Sequence, residues 1–215
     1  MIDILTYMLP DEAWALEFHL ATSGANPLPL YTAVNGKMIW DMKGEGGSPW
    51  DGNSFDEQYI YQSITENVWT NASSFKIFAS KSWPNGNGGI VWAPRYFTPG
   101  ALNLPIVTAD STYRTYSACG TFTTANLGGS VSTQIEGPYE INFGGSLGTQ
   151  LSLVQKYFWG TTMEVNYYVQ SFGHVQWQAY SLAGGVYTLQ QTSAFNLQVA
   201  GGVPSLNFPC TVPII

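Results

Sequence analysis

The stretch MEVNYYVQSFGHVQWQAY, residues 163–180, carries the strongest structural signal in the sequence. Apolar and polar residues alternate on both sides of Ser171-Phe172-Gly173, and a three-residue loop that ends in glycine suits a tight β-hairpin. The predicted register pairs Gln170 with His174, Tyr168 with Gln176, Asn166 with Gln178, and Glu164 with Tyr180. One face of this hairpin is then predicted to be apolar and to meet the core: Val165, Tyr167, Val175 and Trp177. The opposite face is predicted to point away from it: Asn166, Tyr168, Gln176 and Gln178.

Short β-branched and aromatic segments separated by Gly, Pro and Asn continue on both sides of the hairpin. Their regular spacing favours an all-β fold, a two-sheet β-sandwich of the jelly-roll type. The predicted strands are Gln58–Thr65, Phe75–Ser80, Ile90–Phe97, Ile106–Asp110, Tyr113–Thr123, Tyr139–Phe143, Leu151–Trp159, Met163–Gln170, His174–Tyr180 and Val186–Thr192.

The N-terminal quarter is less regular. Residues 10–20 begin with Pro and acidic residues, which predicts a short helix, although Trp14, Leu16, Phe18 and Leu20 alternate as they would in a strand. Residues 36–58 are rich in Gly and Trp and predict a loop region. The sequence contains no linker or internal repeat, so we expect a single β domain over residues 1–215 with at most one short N-terminal helix.

The charge balance excludes several classes of partner. Seven Lys and Arg residues face fourteen Asp and Glu residues, a net charge of −7. Nucleic-acid binding needs a basic surface that displaces counterions, so we expect no nucleic-acid partner. Anionic membranes are disfavoured by the same repulsion. The sequence also contains no run of eighteen apolar residues, so it predicts no membrane-spanning segment. No sequence motif calls for a cofactor.

The composition favours an extracellular or cell-surface setting, because Lys is scarce while Trp, Tyr, Asn and Gly are abundant. The opening segment, Met1–Pro10, lacks the basic region and cleavage site of a signal peptide, so secretion would require a signal that has already been removed. Cys119 and Cys210 form a disulfide in the extracellular interpretation and are buried thiols in the intracellular one.

The polar face of the hairpin offers amides and phenols, which suit the hydroxyl groups and the flat ring of a neutral sugar. Three of the predicted substrate-binding residues are the amides Asn166, Gln176 and Gln178, and the fourth on this face is Tyr180. A solvated surface of a protein poor in charge is the alternative interpretation.

Tyr168, His174 and Gln176 resemble the His, Gln and Tyr set on the concave sheet of jelly-roll polysaccharide lyases. The resemblance implies a His base, a Tyr acid and a Gln that polarises a carbonyl. The chain departs from that pattern because the hairpin has no Lys or Arg to neutralise a uronate.

The segment around residues 40–51 repeats a Trp-Asp pair, Trp40-Asp41 and Trp50-Asp51, on either side of Glu45. Trp can stack on a sugar ring, and carboxylates can bind its hydroxyls or act as acid and nucleophile in glycoside hydrolysis. Structural turns, a calcium site and a solvated loop without a binding role are the competing interpretations. We expect this segment to border a cleft whose floor includes Tyr168, His174 and Gln176.

The sequence therefore predicts a secreted carbohydrate-active domain that binds, or binds and cleaves, a neutral or weakly charged glycan. If it is a glycoside hydrolase, the candidate catalytic residues are the carboxylates Asp41, Glu45, Asp51 and Glu164. The alternatives are a polysaccharide lyase that uses His174 and Tyr168, and a structural or adhesive surface or virion protein with aromatic interfaces.

Overall fold

A computed structural model describes twelve segments of the chain: residues 1–9, 14–20, 30–35, 38–43, 48–55, 57–64, 76–80, 90–100, 105–109, 111–118, 121–126 and 130–198. Within them, strands predominate, and the single helix, α1 (Leu5–Met8), has four residues. The predicted all-β fold is confirmed.

The described strands in the first half of the chain are β1 (Ile2–Asp3), β2 (Trp14–Leu20), β3 (Leu30–Asn35), β4 (Met38–Lys43), β5 (Ser48–Phe55), β6 (Tyr59–Ile64), β7 (Lys76–Ser80), β8 (Ile90–Pro94) and β9 (Tyr96–Phe97). Those in the second half are β10 (Ile106–Ala109), β11 (Ser111–Ala118), β12 (Thr121–Asn126), β13 (Ser130–Asn142), β14 (Thr149–Trp159), β15 (Thr162–Val169), β16 (Gly173–Ala183) and β17 (Val186–Gln198).

These strands form two large antiparallel sheets and one small one. The seven-stranded sheet has the order β10-β13-β14-β15-β16-β17-β2, so five consecutive strands lie side by side. The eight-stranded sheet runs β12-β11-β7-β6-β5-β4-β3, and β8 also pairs with β6. The small sheet joins β1 to β9. A face-to-face sandwich and a single domain stay predictions.

Two predictions about the N-terminal part are wrong. Trp14–Leu20 is strand β2, paired antiparallel with β17, so the alternating pattern is realised and the helical one is not. The helix lies earlier, at Leu5–Met8. The predicted loop region 36–58 contains β4 and β5, which pair with each other. Pairing with a neighbouring strand overrides local helix and turn signals here.

The core packs one face of the seven-stranded sheet against α1 and β8. From the sheet it includes Leu153, Tyr157 and Tyr168, all buried. Buried side chains of α1, β6, β8 and β9 complete it, among them Leu5, Met8, Ile60, Trp92 and Phe97. Burial of these apolar side chains stabilises the folded state by about 25 cal/mol for each Å² of apolar surface removed from water.

Arg95 links the N-terminal segment to this core through an ion pair and a backbone hydrogen bond. Its Nη2 lies 3.3 Å from Oδ2 of Asp3, and its backbone carbonyl accepts a hydrogen bond from the amide of Ile4. The guanidinium also lies 5.8 Å from the ring centroid of Phe55.

A bulge between Glu136 and Tyr139 interrupts the pairing of β13 with β14. Gly137 in this bulge has φ +105°, a conformation that residues with a side chain rarely adopt, and the bond to Pro138 is cis. A Cβ at Gly137 would lie 2.8 Å from the carbonyl oxygen of Ser152, so the backbones approach too closely for any side chain.

We therefore expect Gly137→Ala to destabilise the protein by more than Gly144→Ala. Gly144 also has positive φ, +73°, but a Cβ there meets nothing within 4 Å. The control should lose about 1 kcal/mol through backbone strain, and Gly137→Ala a further ~1–3 kcal/mol through overpacking. Urea unfolding measures both, and equal losses would contradict the steric argument.

Candidate functional site

The hairpin of β15 and β16 forms as predicted, but its register differs. The loop is Gln170-Ser171-Phe172, one residue earlier than expected, and Val169 pairs with Gly173 and Tyr168 with His174. A bulge then places Tyr167 opposite Gln176 and Asn166 opposite Trp177, which leaves Val175 as the extra residue.

This shift overturns the predicted assignment of the two faces, because cross-strand partners share a face. Asn166 and Tyr168 do not face away from the core: each is only 4% exposed. Trp177 shares their face, half-buried. Tyr167, predicted to point to the core, lies on the other face with Gln176 and Gln178. Val165 and Val175 are buried, but they too lie on the side of Tyr167: Val165 pairs with Gln178, and Val175 packs with Val169 and Leu147.

The face that meets the core carries a buried polar network. Asn166 donates from Nδ2 to Oε1 of Gln155 at 2.9 Å, and Gln155 donates from Nε2 to the backbone oxygens of Trp92 and Lys156. Gln155 is fully buried, so its amide is satisfied by protein groups. Asn166, predicted to bind substrate, instead links β15 to β14 and, through Gln155, to β8.

Tyr168 and His174 also lie on this face, with ring centroids 5.1 Å apart. The indole nitrogen of Trp92 donates to the hydroxyl of Tyr168 at 3.0 Å, which ties this phenol into the core. Gln176 lies on the opposite face, where it donates to Thr192 at 3.3 Å. The His, Gln and Tyr set of the lyase resemblance is therefore not assembled, and neither is the predicted cleft floor.

The candidate carboxylates are dispersed. Glu164 accepts a hydrogen bond from the indole nitrogen of Trp177 at 3.0 Å on the core side of the sheet. Asp41 and Asp51 lie in β4 and β5 of the other large sheet, as direct cross-strand partners. Glu45 lies outside the described residues, as do Cys119 and Cys210, so the disulfide stays a prediction.

Trp40 and Trp50 belong to the same pair of strands rather than to a loop. Trp40 is opposite Gly52, and Trp50 stands at a shift in register between Asp41 and Met42. The second Trp-Asp pair therefore folds back on the first as a hairpin.

The face that points away from the core brings together five half-buried polar residues, which we call the Tyr–Gln face: Tyr167, Gln176, Gln178, Tyr180 and Thr192. Oε1 of Gln178 accepts hydrogen bonds from two tyrosine hydroxyls, Tyr167 at 2.8 Å and Tyr180 at 2.7 Å. The sequence predicts Gln176, Gln178 and Tyr180 as binding residues but misses Tyr167 and Thr192. The bulge at Val175 places Tyr167 on the face of Gln176 and Gln178, and the pairing of β16 with β17 adds Thr192 opposite Gln178.

The Tyr–Gln face is electrically neutral. Burial raises the pKa of Tyr167 to about 12, with Tyr180 adding to the effect, and burial also raises the pKa of Tyr180. Both phenols therefore stay protonated as hydrogen-bond donors well above neutral pH. On the flank toward β14 and β13, Nζ of Lys156 lies 2.8 Å from Oε1 of Glu136, so these two charges are paired.

Comparison of the chain with protein families, curated proteins and solved structures finds no match. Among the described residues, no group of three or more His, Cys, Asp and Glu could hold a metal ion. No helix in the described segments is long and apolar enough to cross a bilayer.

The buried hydrogen bonds of Asn166 and Gln155 predict that Asn166→Ala destabilises the folded protein. The substitution removes the donor to Oε1 of Gln155 in a site without water access, so we expect a loss of about 1–3 kcal/mol in the free energy of unfolding. Gln170→Ala, in the exposed turn, should change it by less than about 0.5 kcal/mol. Chemical denaturation tests both, and an equally small effect at Asn166 would refute the structural role of the pair.

The burial of His174 predicts that the free energy of unfolding falls at acidic pH. Both imidazole nitrogens are buried, and burial lowers the pKa of His174 to about 4, opposed in part by a backbone hydrogen bond at Gln176. The unfolded chain therefore binds a proton from pH 6.5 downward while the folded protein does not. Stability should fall between pH 6.5 and pH 4 by of order 3 kcal/mol from this residue.

Unfolding measured at pH 7 and pH 4 in the native protein and in His174→Phe isolates this contribution from that of the carboxylates. The variant should lose less stability on acidification than the native protein. The same pH dependence in the native protein and in His174→Phe would contradict the prediction.

Proposed function

We propose that the chain is an extracellular carbohydrate-binding domain that holds a neutral glycan on the Tyr–Gln face. The observation that carries the proposal is the shared acceptor: two tyrosine hydroxyls donate to one amide oxygen of Gln178. That oxygen is then saturated, so Gln178 offers further hydrogen bonds through its two N–H groups, and each phenol oxygen still has lone pairs to accept one.

Sugar hydroxyls both donate and accept hydrogen bonds, and the ring between them presents apolar C–H groups. The Tyr–Gln face supplies amide donors, phenol acceptors and two aromatic rings on a rigid sheet, which supports this class of ligand. Its neutrality, together with the net charge of −7, favours an uncharged glycan over an anionic one.

Binding is favoured over hydrolysis. Glu164 lies on the other face of the same sheet, and Asp41 and Asp51 belong to the other large sheet. Cleavage of a glycoside by the usual mechanism requires two carboxyl groups within about 10 Å on either side of the scissile bond. None of the five residues that form the Tyr–Gln face carries a carboxylate, and Glu136 on the adjoining surface is paired with Lys156.

The test is a neutral glycan array followed by titration calorimetry with three variants. Gln178→Ala removes the shared acceptor and should weaken binding roughly tenfold, and Tyr180→Phe, which keeps the ring, should weaken it by about two- to tenfold. Gln170→Ala changes an amide outside the Tyr–Gln face and should bind like the native protein.

Two results would overturn the proposal: no binding to any neutral glycan, or equal binding by Gln178→Ala and the native protein. Self-association without glycan binding would instead support the structural or adhesive alternative, for which Val186 and Leu189 are exposed on β17 at 65% and 41%. Release of reducing sugar by the native protein would restore the hydrolase interpretation.

A further inference from the structure

The Tyr–Gln face is bordered at one end by the turn that follows β13. Phe143 packs edge-on against Tyr167, with centroids 5.9 Å apart and an interplanar angle of 83°. Leu147 in the same turn is buried against Val169 and Val175. Because Tyr167 belongs to the Tyr–Gln face, the turn stands above the sheet on that side and closes this end.

The other end is bordered by Phe158 of β14 and Tyr187 of β17. Their ring centroids are 6.3 Å apart, although β15 and β16 lie between the two strands. Strands separated by two others are about 14 Å apart at ~4.8 Å per strand, so the two rings must lean toward each other across the sheet. They form a second wall above the rungs of Tyr180 and Leu182.

The hydrogen-bonding groups between these walls are aligned with β16. Gln176, Gln178 and Tyr180 occupy every second position of that strand, so their side chains share one face. On the flank toward β13, the ion pair of Lys156 with Glu136 occupies the adjoining surface. A chain-like ligand therefore finds its polar contacts along β16 rather than across the strands.

The two walls also limit the length of the ligand. The first wall stands at the rung of Gln176 and the second between the rungs of Tyr180 and Leu182, four to six residues farther along β16. At ~3.3 Å per residue this is about 13–20 Å, roughly the length of three pyranose rings in a row.

We propose that the Tyr–Gln face is a site closed at both ends that takes a neutral oligosaccharide of about three units lying along β16. The inference rests on the proposed glycan-binding function and adds to it the size and direction of the ligand. The protein would then bind short chains or chain ends rather than the interior of a long polymer.

The experiment is titration calorimetry of the full chain with neutral malto-, cello- and manno-oligosaccharides of one to six units. In the series that binds, affinity should rise at least tenfold from one unit to three and change less than twofold from three to six. A continued rise to six units would overturn the closed site while leaving glycan binding intact, and so would full affinity for a single unit. Binding to none of the three series, together with no binding to any neutral glycan of the array, would overturn both proposals.

Removing the second wall provides an independent check. In Tyr187→Ala, affinity should continue to rise beyond three units, and Phe158→Leu should act in the same direction with less change to the fold. Val186→Ala, beside Tyr187 but outside the wall, is the matched control and should keep the limit at three. An unchanged limit in both wall variants would overturn the assignment of the wall.

Discussion

The extra residue at Val175 determines which side chains of the central hairpin lie together. Because side chains alternate along a strand, a one-residue shift between β15 and β16 exchanges the partners on both faces. One face receives Tyr168, His174, Asn166 and Trp177 and meets the core. The other receives Tyr167 with Gln176 and Gln178 and forms the candidate site.

The face that meets the core is unusual in its polarity. A fully buried glutamine, an asparagine and a tyrosine hydroxyl lie where a β-sheet protein would ordinarily place aliphatic groups. Their partners are specific: Asn166 for Gln155, and Trp92 for both Gln155 and Tyr168. Such a network is stable only when every member is satisfied, so it ties β8 to the seven-stranded sheet in one position.

Much of the fold could be predicted from the sequence, because alternation and β-branched residues identify strands locally. Most strands from Gln58 to Thr192 lie close to their predicted positions. Two do not: Tyr113–Thr123 spans the paired strands β11 and β12, and Tyr139–Phe143 covers only the last part of β13. Trp14–Leu20 was ambiguous, since helix-start signals precede an alternating pattern that is resolved only by pairing with β17. The hairpin of β4 and β5 was also not predicted, because the glycine-rich sequence between Lys43 and Ser48 is typical of a loop region.

The candidate site could be predicted only in part. Gln176, Gln178 and Tyr180 stand out by composition, but the bulge that joins them to Tyr167 has no local sequence signal. Tyr168 and His174 were predicted as catalytic residues because no local pattern shows that the hydroxyl of Tyr168 is bonded within the core. That partner, Trp92, is 76 residues away, beyond the reach of any local pattern.

The bulge at Gly137 and Pro138 has a consequence for how the protein behaves at high concentration. On its outer side β13 is paired by β10 only from Ser130 to Thr133, among the strands that the structure describes. An open edge of this length would invite another chain to add a strand, the first step of aggregation. Pro138 lacks an N–H group and the bulge bends the backbone, so the remaining edge is a poor template for intermolecular pairing.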